Sequence, residues 1–242
     1  MNLKKLMLAV VLTVMTLATV PAYAVSASFQ DPATASWGSW NRGDTGTVYV
    51  HWEEFDDCTP GIPFCLANPD TVPDEGNFGA STSVVDPLDP TAFVTGSGAG
   101  GNIYTFSGVQ DFDVTVTPIS PISGPEIRIA LQIAILGTDI DESTIMLNGI
   151  GFDSRTTLET QPPNPQFGGV DNEYLYLWTL TDGVDYTGSV NNFLFDLTAS
   201  GSSLSLDALA VDIAAVPVPA AVWLFGSALL GFLGIGRRRA IF

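Results

Sequence analysis

The chain has 242 residues, of which 26 are acidic and 8 basic, giving a formal net charge of −18 at pH 7. Every acidic residue lies between Asp31 and Asp212, where the only basic residues are Arg42, Arg128 and Arg155 and no lysine occurs. So acidic a surface repels nucleic acid and anionic lipid, which excludes nucleic-acid-binding functions and leaves neutral polysaccharide or divalent cations as fitting partners.

Residues 1–24 have the three-part layout of a secretory signal peptide. Lys4 and Lys5 give a positive start, an apolar run follows from Leu6 to Val20, and Ala22-Tyr23-Ala24 supplies the small residues that signal peptidase needs. Cleavage after Ala24 is expected, by way of the secretion machinery. The residue after the cut is Val25, so no cysteine stands there to receive a lipid.

From residue 25 to 215 the chain alternates short β-branched and aromatic runs with Gly, Pro, Asn, Asp, Ser and Thr, the pattern of a turn-rich β domain. That length suits one domain with a substantial core. In Thr47–Phe55, Val48, Val50 and Trp52 share one face and Tyr49, His51 and Glu53 the other. Asn102–Phe106 and Phe112–Thr117 are further strands. Ile127, Ile129, Leu131, Ile133 and Ile135 form the longest inward face, opposite Arg128, Ala130, Gln132 and Ala134. Thr144–Leu147, Tyr174–Leu180, Asn192–Leu197 and Ser203–Ile213 complete the set. The Pro/Gly-rich stretches Asp57–Pro90 and Gln161–Gly169 are expected outside the sheets. The fold class is therefore all-β: an antiparallel β-sandwich, jelly-roll or Ig-like.

Several residue groups in the middle bear on chemistry. Cys58 and Cys65 are the only cysteines, and in an oxidising compartment they are expected to pair. Closing so short a loop stabilises by about 2.5 kcal/mol on the chain-entropy view. His51 is the only histidine, too few for a zinc site. Its neighbours Glu53, Glu54, Asp56 and Asp57 could supply paired carboxylates, but such a run also reads as a solvated strand end. Asp139, Asp141 and Glu142 cluster in a turn, and Asp56, Asp57, Asp70, Asp74 and Glu75 crowd the cysteine loop. Hard oxygen ligands of this kind suit calcium, so Ca²⁺ is the one cofactor option. Trp37, Trp40 and Trp52 are candidates for an aromatic platform that stacks on sugar rings, with core packing as the competing role.

The C-terminus reads VPVPAAVWLFGSALLGFLGIGRRRAIF over residues 216–242. Ala220 to Gly236 carries no charge and, as a helix about 25 Å long, falls at the short end of what spans a bilayer. Pro217 and Pro219 punctuate its start, Trp223 suits an interface, and Arg237, Arg238 and Arg239 hold the far end on the cytoplasmic side. Residues Val216 to Arg239 closely resemble the PEP-CTERM sorting signal of Gram-negative bacteria, in its VPxPAAxWLFGSxLLGLxGxxRRR variant, with Val218 where the family's central Glu stands. The resemblance implies that Val216, Pro217, Val218 and Pro219 are presented to an exosortase, a membrane cysteine protease-transpeptidase of bacteria that export exopolysaccharide. A second stretch, Ile129 to Phe152, resembles a β module of bacterial secreted proteins that reads roughly VAILGT…ID-x-ST-x-x-LNG, and implies a strand–turn–strand unit. No DxNxDG sequence follows it.

Together these features describe a non-enzymatic exported protein, held in the inner membrane with a periplasmic ectodomain and then passed to the cell surface or matrix, where it associates with exopolysaccharide. A carbohydrate- or calcium-binding adhesin is the alternative, and a secreted hydrolase the third reading.

Overall fold

The computed structural model describes residues 29–53, 55, 64–95, 101–162 and 169–216. Among them are fourteen strands and one 3₁₀ turn. No helix of the described residues is long and apolar enough to cross a membrane; residues 1–28 and 217–242, with the expected signal peptide and the 220–236 segment, lie outside them.

Two antiparallel sheets pack face to face. The larger runs β11 (Ser154–Thr160), β12 (Val170–Thr181), β8 (Glu126–Gly137), β14 (Leu204–Val216), β6 (Asn102–Tyr104), β5 (Phe93–Thr95) and β2 (Phe64–Leu66). Beside β6, β1 (Thr47–Trp52) also pairs with β14 and carries β3 (Glu75–Phe78) on its other edge. The smaller sheet is ordered β10 (Ile150–Gly151), β9 (Met146–Leu147), β13 (Phe193–Thr198), β7 (Asp111–Pro118) and β4 (Ala80–Pro87).

Alternation explains the core. On β8 the odd-numbered isoleucines and Leu131 face inward, and on β7 and β13 Phe112, Val114, Val116, Phe193, Phe195 and Leu197 face back at them. The Trp178 and Phe195 rings meet edge to face across the layers at 5.6 Å. On β14 the inward phase Leu204, Leu206 jumps to Leu209, Val211, Ile213, because a bulge between Leu206 and Ala208 inserts Asp207 as an extra residue.

Asn148-Gly149 closes the β9–β10 hairpin with both residues at positive φ, 51° and 79°, as a two-residue hairpin turn requires. The expected strand Thr144–Leu147 starts later, at Met146, because Glu142–Thr144 winds into the 3₁₀ turn. The stretch Asp57–Pro90, expected outside the sheets, contributes β2, β3 and β4. These are short or edge strands whose partners lie far along the chain: β4 pairs with β7, and β3 with β1. The polar strand β11 was not foreseen either. It is an edge strand with exposed residues, so it carries no buried alternation.

Candidate functional site

The outward face of the larger sheet is unusual for a sandwich, since much of it is buried. Ala130, Gln132, Ala210, Asp212 and Ala214 point away from the core, yet none exceeds 1 % exposure. Small side chains leave a shallow floor there, and the segment from Phe29 to Gly46 lies on it as a strap.

Single polar contacts fasten the strap. The Gln30 backbone N–H donates to Gln132 Oε1 at 2.6 Å, and Gln132 Nε2 donates back to the Gln30 carbonyl at 3.0 Å. Arg42 donates through Nε and Nη2 to both oxygens of Asp212, at 2.8 and 2.9 Å. Its guanidinium also lies 3.5 Å from the centre of the Tyr49 ring. Burial pushes the Asp212 carboxyl above the usual range, and Arg42 opposes that shift with a bidentate partner of opposite charge. Phe29 covers His51, with ring centroids 5.2 Å apart.

At the start of β8 the strap and the sheet leave a cleft of about 300 Å³, bordered by Trp37, Trp40, Glu126, Arg128, Leu177 and Thr179. Trp37 and Trp40 meet edge to face at 5.6 Å and 68°. Trp37 Nε1 donates to Gln30 Oε1, which fixes its ring, whereas Trp40 Nε1 is buried without a partner. Arg128 Nε donates to Glu126 Oε1 at 2.7 Å, so this wall is polar and close to neutral. A concave aromatic surface with a few convergent polar groups is the general form of a small-molecule site.

The three tryptophans divide between the two roles expected of them. Trp37 and Trp40 do come together, with Trp37 half-buried and Trp40 only 9 % exposed; Trp52 is fully buried among the core residues, in the competing core-packing role, and is no part of a platform. Its place on β1 beside Val48 and Val50 turns it inward.

The residues expected to hold calcium are Asp139, Asp141 and Glu142. Each carboxylate is committed elsewhere: Asp139 accepts from Tyr174 Oη at 2.9 Å and from the Ile140 N–H, Asp141 caps the 3₁₀ turn through Ser143, and Glu142 pairs with Arg155 at 2.9 Å. Among the described residues no three His, Cys, Asp or Glu converge as a metal site. In the acidic stretch near the cysteines, Asp74 accepts from the Glu53 N–H, and Asp56 and Asp57 lie outside the described residues.

His51 sits on the outward face with neither ring nitrogen hydrogen-bonded. Burial lowers its pKa, so at neutral pH the 3.8 Å approach of Glu75 Oε2 is not an ion pair. Cys65 is half-buried in β2 and is not a free thiol, while Cys58 lies outside the described residues. Val216 is the last residue of β14, paired with Glu126. Pro217, Val218, Pro219, Arg237, Arg238 and Arg239 lie outside the described residues.

Sequence reasoning missed the strap and its clamps Gln30, Arg42, Gln132 and Asp212. The available signal was the run of alanines opposite the core face, on β8 and again on β14, since a face bare of bulky or charged groups has room for something to lie on it.

No family model matches the chain, and no curated protein matches it. Among solved structures it is similar to a CBM35 from Cellvibrio japonicus Abf62, at 15 % identity and a TM-score of 0.28, over 71 % of this chain and 99 % of that one; a superposition this loose fixes neither fold nor ligand.

Proposed function

We propose that this chain is an exported surface protein whose β-sandwich binds neutral carbohydrate in the cleft beside Trp37 and Trp40. The observation that carries the reading is the cleft itself: the half-buried Trp37 indole, backed edge to face by the buried Trp40, next to hydroxyl and charged groups that are already mutually neutralised. Sugar rings offer apolar C–H faces to indoles and hydroxyls to polar rims, so this mixture suits them. The acidic surface disfavours anionic glycans, and the Arg128 charge is matched by Glu126.

In this reading the protein binds and does not catalyse. The tail from Val216 onward sorts it by way of an exosortase to the cell surface or matrix, Cys58 and Cys65 close a disulfide loop, and the partner is exopolysaccharide. The test is binding of the mature protein to a panel of neutral and anionic polysaccharides, alone and as Trp37→Ala. A side chain central to such a site contributes enough that its loss weakens binding about tenfold or more. Retention of a neutral glycan, with loss on Trp37→Ala, is the expected result. Equal binding by both proteins, or preference for anionic glycans, would sink the proposal.

A further inference from the structure

A second aromatic cluster lies on the same outward face, at the opposite end of the sheet. Val94 and Ile103 point into the core, so Phe93 and Tyr104, their neighbours on β5 and β6, point outward. Phe93 and Tyr104 are direct cross-strand partners, and their rings meet edge to face at 5.4 Å. Phe106, two residues beyond Tyr104, stacks on Phe93 at 5.0 Å with an interplanar angle of 27°, and Tyr104 props it edge-on at 4.8 Å. Phe106 is nonetheless 69 % exposed. A large apolar ring kept open to water and braced by two others costs solvation without serving the core.

Polar groups rim this cluster. Thr91 and Ser107 join Phe93 and Phe106 around a cleft of about 340 Å³. Asp89 holds Thr91 through Oδ1, accepting from its N–H and hydroxyl at 2.8 Å each, and its Oδ2 lies against Gly108, the residue after Ser107. An open aromatic face beside a carboxylate and two hydroxyls is suited to a ring bearing several hydroxyl groups. The same carboxylate, in so acidic a domain, disfavours an anionic lipid or polymer.

Strand register relates the two clefts. Phe93 aligns with Tyr104, Tyr104 with Ser205, and Ser205 with Leu136 on β8. The Trp37–Trp40 cleft adjoins Arg128, eight residues back along β8. With roughly 3.3 Å per residue and 4.8 Å per strand, the sites lie about 30 Å apart on one face.

We infer that the Phe93–Phe106 cleft is a second subsite for neutral glycan, so that one long polysaccharide chain occupies both clefts. This rests on the carbohydrate reading of the Trp37–Trp40 cleft and specifies its ligand: a polymer rather than a short oligosaccharide. Two sites on one strand of ligand raise affinity by effective concentration, by up to about 10²–10⁴-fold when the spacing is matched.

The test measures the mature protein against neutral gluco-, galacto- and manno-oligosaccharides graded from disaccharide to dodecasaccharide, and against the parent polymers. Wild type, Phe106→Ala and Trp37→Ala are compared. The Phe106 ring is exposed, so its removal leaves the core intact. The expected result is a steep rise in affinity once the ligand spans both clefts, abolished by either substitution, with each variant keeping short-ligand binding at its remaining cleft. If no neutral glycan binds wild type, the carbohydrate reading falls and this inference with it. If glycan binds but affinity does not grow with length, or Phe106→Ala leaves polymer binding unchanged, only the second subsite falls. Loss of self-association on Phe106→Ala, seen by sedimentation with glycan affinity unaltered, would reassign this patch to contact between copies of the chain.

Discussion

Beneath the strap the larger sheet turns a covered face outward, with the Arg42–Asp212 ion pair matched, whereas the smaller sheet turns an open face outward, with like charges opposed. Under the strap, Asp212 is wholly buried and meets Arg42 through both oxygens. On the smaller sheet Asp86, Asp113 and Asp196 fall in register across β4, β7 and β13, a row of three half-buried carboxylates. Burial and then the charge and hydrogen bond of Asp196 raise the Asp113 pKa, with Asp86 and Asp111 adding to it. Water screens such a row at modest cost, but a dry face would not tolerate it. The difference marks which face the fold closes and which it leaves wet.

The strongest way to break this comparison is Arg42→Ala. It leaves Asp212 buried without its partner, and removing one member of a buried pair costs about 3–5 kcal/mol. Urea unfolding at pH 7 measures it; a loss under about 1 kcal/mol would mean that water replaces the strap there and the face is not dry.

Asp207 sharpens the contrast, because it is an ill-matched carboxylate on the covered side. Burial pushes it up to about 7; Asn102 opposes this by a hydrogen bond, and Asp171, Glu173 and Glu53 reinforce it. A folded pKa above the unfolded value of 3.8 means that the folded state holds this proton more tightly. The stability it confers is complete below about pH 4 and is lost as pH rises through about 7, by at most roughly 4 kcal/mol. Asp207→Asn should therefore stabilise the protein at pH 8 and make little difference at pH 4. Equal effects at both pH values would show that Asp207 is solvated in the folded state.

The smallest effect belongs to the open face. Asp113→Asn relieves cross-strand repulsion worth about 0.2–1 kcal/mol at low ionic strength. The gain should fade in molar salt, where screening shortens to about 3 Å. A gain that survives high salt would mean the row is drier than the strap side.

How much of this was legible depended on whether the physics was periodic. Strands β7, β8, β12 and β13 announce themselves, since a strand with one face in the core must alternate, and Ile127 to Ile135 does so over nine residues. Trp52 was legible too: its parity with Val48 and Val50 carries the correct answer, and grouping it with Trp37 and Trp40 ignored that parity. The strap was not legible. Asp31 to Arg42 has no period, and its position rests on single contacts such as Arg42 to Asp212, separated by 170 residues in sequence. The Phe93–Phe106 cleft was hidden for a related reason, because Phe106 lies past the end of β6 and its exposure depends on β5 arriving from a stretch dominated by turn residues.

The position of β14 has a mechanical consequence. Its thirteen residues have β8 along one edge and β6 and then β1 along the other, all antiparallel, and end at Val216. Tension from the residues that follow would enter the sandwich along this strand, loading its ladder hydrogen bonds in shear, many at once, rather than peeling them one by one. If the tail tethers the protein and the outward face holds a glycan, as proposed, the pull passes through β14, while the short edge strands β2 and β3 stay off the load path.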